Sequence, residues 1–199
     1  MVTNPFVATN CPIQYGNWEG PADTTRGITV DTTRLGNVYY TIGEGTGSKQ
    51  SPTPRAIMIA KNSSGATLSR NLVVAHATAN GSWPHTITGL GAALSGTVAG
   101  VVEDGYINGV PDGALFRLVI EGLHYCQYYT TSDAKVATVT GRPLVVAGSG
   151  EVFAWDTSVA AGAATFGQID AVMGFSAYIT ANTTDNGIQR LIFVKTKFA

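Results

Sequence analysis

Short apolar runs, separated by polar turns that contain glycine, make up most of the chain after residue 55. In residues 115–121 (LFRLVIE), the odd-numbered positions share one face and the even-numbered positions, which are all apolar, share the other. This period of two residues indicates a β-strand. Similar runs predict strands at residues 56–60, 71–79, 97–103, 143–147, 151–155, 171–180 and 188–197.

Turn signals lie between these runs. Asn-Gly or Asp-Gly pairs supply the positive φ angles that tight hairpins require, and they occur at residues 80–81, 104–105, 108–109, 112–113 and 186–187. The only candidate for a helix is residues 88–95 (TGLGAALS), with two glycines that each cost about 1 kcal/mol in a helix interior. The pattern predicts an all-β fold, a barrel or sandwich of many short strands.

The first 55 residues have a different pattern. Five of the eight prolines lie there, and only residues 37–42 (NVYYTI) predict a strand. A simple linker has no need of large aromatic side chains, yet this segment carries five: Phe6, Tyr15, Trp18, Tyr39 and Tyr40. We therefore predict an extended arm rich in proline and glycine over residues 1–55, whose aromatic residues contact a neighbouring protein surface, and a β-domain over residues 56–199.

Composition and charge narrow the class of function. Charged residues make up 13% of the 199 residues, about half of the ~25% that is typical of soluble domains. Twelve basic residues against thirteen acidic ones give a net charge of -1, which argues against binding to nucleic acid because that needs a basic surplus. So little charge favours a surface partly covered by partners, since a free monomer usually keeps more charge for solubility.

The sequence shows no targeting segment. Residues 1–10 contain no Lys or Arg and no apolar block of the secretory kind, and no apolar run approaches the roughly 18 residues of a membrane span. We therefore expect a protein made in the cytoplasm with no membrane partner. Cys11 and Cys126 are too few for a disulfide scaffold, and synthesis in a reducing compartment favours two thiols.

Few residues suggest chemistry. His124 and Cys126 share one strand face, but a metal site needs further ligands, and a half-buried histidine beside a small buried thiol is favoured. Residues 103–113 (EDGYINGVPDG) lack the alternate spacing of a calcium loop and favour a hairpin turn. We expect no catalytic residue, cofactor or metal, although an acid pair stays open because any two of thirteen acidic residues can meet in space.

Four stretches of turn followed by strand resemble the capsid decoration proteins, or head cement proteins, of tailed phages. They are residues 60–74 (AKNSSGATLSRNLVV), 101–122 (VVEDGYINGVPDGALFRLVIEG), 141–148 (GRPLVVAG) and 173–192, where MGFSA precedes NTTDN and a final apolar strand. Together they cover roughly residues 56–199, and the first 55 residues have no part in the resemblance.

The resemblance implies a β-rich, trimer-forming viral structural protein without enzymatic activity. Such a protein sits on the outer surface of an icosahedral phage head, where it binds across capsomer boundaries and stabilises the shell. We therefore expect the capsid surface of the virion as its location. The expected partners are the major capsid protein and further copies of this chain in a homotrimer.

A second hypothesis is a carbohydrate- or receptor-binding module on the virion surface. Trp83, in the turn formed by residues 83–85 (WPH), and Trp155 favour it, because flat aromatic rings stack on sugars. Binding to glycans that depends on Trp83 distinguishes this hypothesis from capsid decoration.

Overall fold

The computed structural model describes residues 11–23, 25–27, 29–42, 54–77, 85–91, 97–127, 143–154, 172–176 and 189–195. Within these ranges the protein is all-β, as the sequence predicts, with no α-helix and a single 3-10 turn at Thr32–Arg34. The strands are β1 (Val38–Ile42), β2 (Pro54–Asn62), β3 (Val73–His76), β4 (Thr86–Leu90), β5 (Val98–Val102), β6 (Leu115–Gln127), β7 (Pro143–Gly148), β8 (Glu151–Ala154), β9 (Val172–Ser176) and β10 (Gln189–Lys195).

Five of these strands close into a barrel. Their order is β2, β4, β3, β5 and β6, and the barrel closes because β6 pairs with β2, with Leu118 opposite Met58. The pairing of β2 with β4 is parallel, and the other pairings among the described strands are antiparallel. β1 continues the sheet beyond β2, and β10, β9, β7 and β8 continue it beyond β6.

The barrel interior is an apolar core to which every barrel strand contributes. Tyr106 and Phe116 meet edge to face in this core, with ring centroids 6.2 Å apart. On β6, the even-numbered positions predicted to share a face do point into it. The members of the core are Ala56, Met58, Ala60, Leu68, Val74, Ile87, Ala99, Val102, Tyr106, Val110, Ala114, Phe116, Leu118 and Ile120.

The outer face of β6 is also buried, because two further clusters cover the barrel from outside. On one side, the hairpin of β7 and β8 packs against Val73, Val101 and Cys126. On another side, Ile13 from the N-terminal part of the chain packs against Ile59 of β2 and Leu115 of β6. β6 is therefore buried on both faces from residue 115 to residue 120, whereas Glu121 is exposed to solvent.

The candidate helix at residues 88–95 does not form where the structure describes this segment. Residues 88–90 belong to β4, and residues 92–96 lie outside the described residues. β4 occupies the gap between β2 and β3, where Ile87 is fully buried. The backbone hydrogen bonds and the burial available in that gap outweigh local preference.

The predicted division at residue 55 falls inside β2, which begins at Pro54. The described residues between 11 and 42 lie against the barrel of their own chain, through the cluster around Ile13 and through β1. Residues 1–10 and 43–53 of the predicted arm lie outside the described residues, so the extended course of the whole arm stays a prediction. In the part of the chain that is described, no helix has the length and apolar character to cross a membrane.

Candidate functional site

Four charged or titratable side chains are buried on the outer side of the barrel wall. They are Arg55 on β2, Glu103 just after β5, and Arg117 and His124 on β6, each no more than 4% exposed. Arg117 is two positions from Leu115 on β6, so both side chains are on the outer face of the strand. Phe116 and Leu118 are on the other face and fill the barrel interior. Charged residues are almost never fully buried unless they are paired, so their partners decide what this cluster does.

Arg117 and Glu103 pair with each other. The Nη2 atom of Arg117 lies 3.0 Å from Oε1 of Glu103. The guanidinium also donates to the carbonyl of Ile13 at 3.4 Å and lies 5.9 Å from the ring centroid of Tyr15. The backbone N–H of Arg117 donates to Oη of Tyr106 at 2.7 Å. The pair thus joins the barrel core to residues near the N-terminus.

Asp104 connects the cluster to Tyr15. The phenol of Tyr15 donates to Oδ1 of Asp104 at 2.8 Å, and Nη1 of Arg55 lies 4.0 Å from the same oxygen. Burial, together with the hydrogen bond and the negative charge of Asp104, raises the pKa of Tyr15 far above its usual value. The phenol therefore stays protonated and remains a donor at all ordinary pH values.

His124 has a defined tautomer. Nη1 of Arg55 lies 3.1 Å from Nδ1 of His124, and because a guanidinium has only donors, Nδ1 must be the acceptor. The ring proton is then on Nε2, which donates to the carbonyl of Val102 at 3.3 Å. Burial lowers the pKa of His124 to about 4, so the ring is neutral at pH 7.

The N-terminal residues 11–19, called the strap from here on, cover this cluster. Glu19 and Leu115 exchange two backbone hydrogen bonds, each 3.0 Å long, and Ile13 is 2% exposed. Gly16 and Gly105 touch so closely that a Cβ atom on Gly105 would lie 2.6 Å from Cα of Gly16. The strap is thus fitted to the barrel by both shape and polar contacts.

The titratable groups of this arrangement are engaged by contacts within their own chain. Both ring nitrogens of His124 are engaged within the protein, and Glu103 is fully buried against Arg117. Burial raises the pKa of Cys126, so its thiol stays protonated. The predicted half-buried histidine is in fact completely buried. Among the described residues, no group of three His, Cys, Asp or Glu side chains is placed to hold a metal ion.

The acidic residues once considered for calcium have separate partners. Glu103 pairs with Arg117, Asp104 accepts from Tyr15, and Asp112 accepts from the backbone N–H of Gly65 at 2.9 Å. Gly109 and Gly113 have positive φ angles of 76° and 79°. This segment therefore forms turns at residues 104–105, 107–108 and 112–113, in line with the turn that the sequence favours over a calcium loop.

The five predicted contact residues lie in different environments. Tyr15 and Tyr39 are partly buried against their own chain, whereas Trp18 is 41% exposed and Tyr40 is 55% exposed. Phe6 lies outside the described residues, as do Trp83 and Trp155 of the carbohydrate hypothesis. Their contacts with a partner stay predictions.

Sequence reasoning did not single out three exposed apolar residues, which are Val38, Leu90 and Ile107. Val38 is 45% exposed and lies two positions from Tyr40 on β1, so the two side chains share a face. Ile107, in the turn before Asn108 and Gly109, is 77% exposed. The alternation within NVYYTI was the available signal for Val38, since it places that residue on the same face as Tyr40.

No family model matches the chain, and comparison with curated proteins and with solved structures gives no match.

Proposed function

We propose that this protein is a capsid decoration protein, a viral structural protein that binds the outer surface of a phage head across capsomer boundaries and stabilises it. Its partners are the major capsid protein and further copies of itself in a homotrimer. The observation that carries the proposal is the exposed apolar face of β1, formed by Val38 and Tyr40, on a chain with a net charge of only -1.

The distribution of charge supports an adhesive surface. Arg55, Glu103 and Arg117 are turned into the protein and matched against opposite charges, so a chain already poor in charge has even less at its surface. Burial of apolar area contributes about 25 cal/mol per Å², and tyrosine is among the residues that contribute most to interfaces. A face bearing Tyr40 and Val38 suits attachment to another protein.

The position of β1 supports attachment through the sheet edge. β1 is the first strand in the sheet order and pairs with β2 alone among the described strands. The carbonyl of Asn37 accepts from the backbone N–H of Ile59, so by alternation the peptide groups of Val38 and Tyr40 point away from β2. An extended segment of a capsid protein can add there as a further strand.

The described acidic residues give no support to an enzyme. Glu103 is fully buried in an ion pair, and Asp104 is occupied by Tyr15 and Arg55. A glycosidase needs two carboxyl groups that flank a bond of the substrate, whereas both of these carboxylates contact side chains of their own chain.

The direct test is binding to phage heads. Purified protein is mixed with expanded, undecorated heads of the phage that encodes it, and the heads are sedimented. We expect saturable co-sedimentation and heads that withstand higher temperature. A folded protein that stays in the supernatant at all concentrations contradicts the proposal, and hits on a glycan array in that case favour the carbohydrate hypothesis.

Variants of the exposed face sharpen the test. Val38→Ser combined with Tyr40→Ser is expected to weaken head binding at least tenfold, because two apolar contacts of roughly 1–2 kcal/mol each are lost. Ile107→Ser is the matched control, since it also removes an exposed apolar side chain but from the turn between β5 and β6. Equal binding by both variants excludes β1 as the contact.

A further inference from the structure

A continuous chain of contacts leads from the strap to the buried ring of His124. Tyr15 of the strap donates to Asp104, and Arg55 lies between Asp104 and His124. At the far end, His124 donates to the carbonyl of Val102 on β5. The strap, residues 11–19, is therefore connected through side chains to a titratable group in the barrel wall.

The contact between Arg55 and His124 exists only while the ring is neutral. Protonation places a hydrogen on Nδ1 as well as on Nε2, so a donor on His124 would then face a donor on Arg55 at 3.1 Å, with both groups cationic. The Oδ1 atom of Asp104 lies 4.0 Å from Nη1 of Arg55. A guanidinium repelled by His124 moves toward that carboxylate and competes with Tyr15 for the same oxygen.

Around His124, burial and the charge of Arg55 oppose protonation of the ring, whereas the charge of Asp104 favours it, which together hold the pKa of His124 below its usual value. The side chain facing it from β2 is Arg55, and the charged residue near it from the turn after β5 is Asp104. Cys126, two residues further along β6, is a protonated thiol, and β10 places Ile192 opposite His124 in register. Elsewhere in the cluster, Arg117 pairs with Glu103, and Arg55 lies 4.0 Å from Asp104.

We propose that Tyr15, Asp104, Arg55 and His124 form an acid-sensitive latch that holds the strap on the barrel at neutral pH and releases it when His124 is protonated. The barrel stays closed, because its interior core is a separate apolar cluster that contains no histidine. The strap outside that core depends on Ile13, the Glu19–Leu115 backbone pair, a salt bridge from Glu19 to Arg34, and the latch. The proposal does not depend on what the protein binds.

Amide hydrogen exchange of the full-length protein, resolved by residue with NMR, tests the latch. The amide of Glu19 donates to Leu115 and reports on strap docking, whereas the amide of Val102 donates to Leu72 and reports on the barrel. Between pH 7.5 and pH 4.5, the protection factor of the Glu19 amide is expected to fall at least tenfold while that of Val102 is unchanged. A parallel fall of both amides overturns the proposal.

Two variants identify the group that titrates. His124→Gln keeps an acceptor but gains no charge, so the protection of Glu19 becomes independent of pH. His76→Gln is the matched control, because His76 contacts the carbonyl of Ala77 and no member of the latch, and it leaves the pH response unchanged. A pH response that persists in His124→Gln, or disappears in His76→Gln, overturns the proposal.

Tyr15→Phe removes only the hydroxyl that donates to Asp104. The protection of Glu19 is then already reduced at pH 7.5, and the further fall toward pH 4.5 is smaller than in the natural protein. This variant keeps the test decisive if His124→Gln fails to fold. Unchanged protection of Glu19 in Tyr15→Phe at both pH values contradicts the latch.

Discussion

Arg117 and Glu103 form a salt bridge in which neither side chain is accessible to solvent, with 1% and 0% of the two side chains exposed. The two residues lie on β6 and directly after β5, the neighbouring barrel strand. Removing two charges from water costs several kcal/mol each, which their attraction offsets only when both partners are present. The pair therefore makes the folded state depend on matched charges within the barrel wall.

Breaking this pair from one side is expected to be strongly destabilising. Glu103→Gln leaves the guanidinium of Arg117 buried without its counter-charge, so the free energy of unfolding falls by about 3–5 kcal/mol. Urea denaturation followed by circular dichroism measures it. The control is Arg26→Gln at the exposed Asp23–Arg26 pair, where side chains are 75% and 37% exposed, with an expected change below about 0.5 kcal/mol.

The double variant Glu103→Leu with Arg117→Met shows which of two effects dominates in Glu103→Gln. One is the loss of attraction between the two side chains, and the other is the cost of burying one charge without its counter-charge. Because neither charge remains to be desolvated, we expect it to be more stable than Glu103→Gln. The same urea denaturation compares the two variants. A double variant that is less stable than Glu103→Gln shows that the pair contributes mainly attraction, contrary to this argument.

Stability is expected to decline at alkaline pH. Burial is the main reason that the pKa values of Tyr15 and Tyr106 are raised in the folded protein above their ordinary value of 10. The contribution of these two phenols to the free energy of unfolding is therefore complete below pH 10. It is lost as the pH rises above 10, because the unfolded chain releases these protons at a lower pH than the folded protein does. Urea unfolding between pH 9 and pH 11.5 measures the decline.

Tyr106→Phe is expected to make that decline shallower, because one of the two protected phenols is gone. Tyr40→Phe is the control, since this ring is 55% exposed, and the alkaline decline is expected to keep its slope. If stability falls equally steeply with pH in the natural protein, in Tyr106→Phe and in Tyr40→Phe, then Tyr106 is not a cause of the alkaline decline.

The two thiols are expected to differ in reactivity. Cys126 is fully buried, which raises its pKa, whereas Cys11 is partly exposed in the strap, and the two are not joined in a disulfide. Ellman's reagent at pH 8 should therefore modify one thiol per folded chain rapidly and the second only after unfolding. Cys11→Ser removes the rapid phase and Cys126→Ala leaves it, and two rapid thiols in the folded protein would falsify this prediction.

Glycine at position 100 is expected to be indispensable to barrel closure. A Cβ atom there would lie 2.5 Å from the carbonyl oxygen of Val119 and 2.9 Å from Cγ of Leu118, which are backbone and core atoms of β6. Gly100→Ala should lower the free energy of unfolding by at least about 2 kcal/mol. Gly89→Ala, on β4 with nothing within 4 Å of the added atom, should change it little, as thermal denaturation of both variants will show.

The strands that could be predicted from sequence are those with local alternation. The runs around Phe116 and Val145, for example, coincide with β6 and β7. β4 was not predicted, because the segment with the sequence TITGL has two threonines and a glycine and becomes a strand only through pairing with β2 and β3. The same alternation was sufficient to predict that the side chain of Tyr40 is exposed. It was not sufficient to predict the exposure of Ile107, which lies in a turn.

The charge cluster shows the limit of sequence reasoning in this protein. Arg117 is visible as a charge within an apolar run, but its partners Glu103 and Ile13 are 14 and 104 positions away. Alternation along a strand is a property of the local chain, and so the sequence by itself determined an all-β protein with little surface charge. Barrel closure and burial decided which charges meet and that residues 11–19 cover them. Only the tertiary structure brings residues so distant in sequence within hydrogen-bonding range.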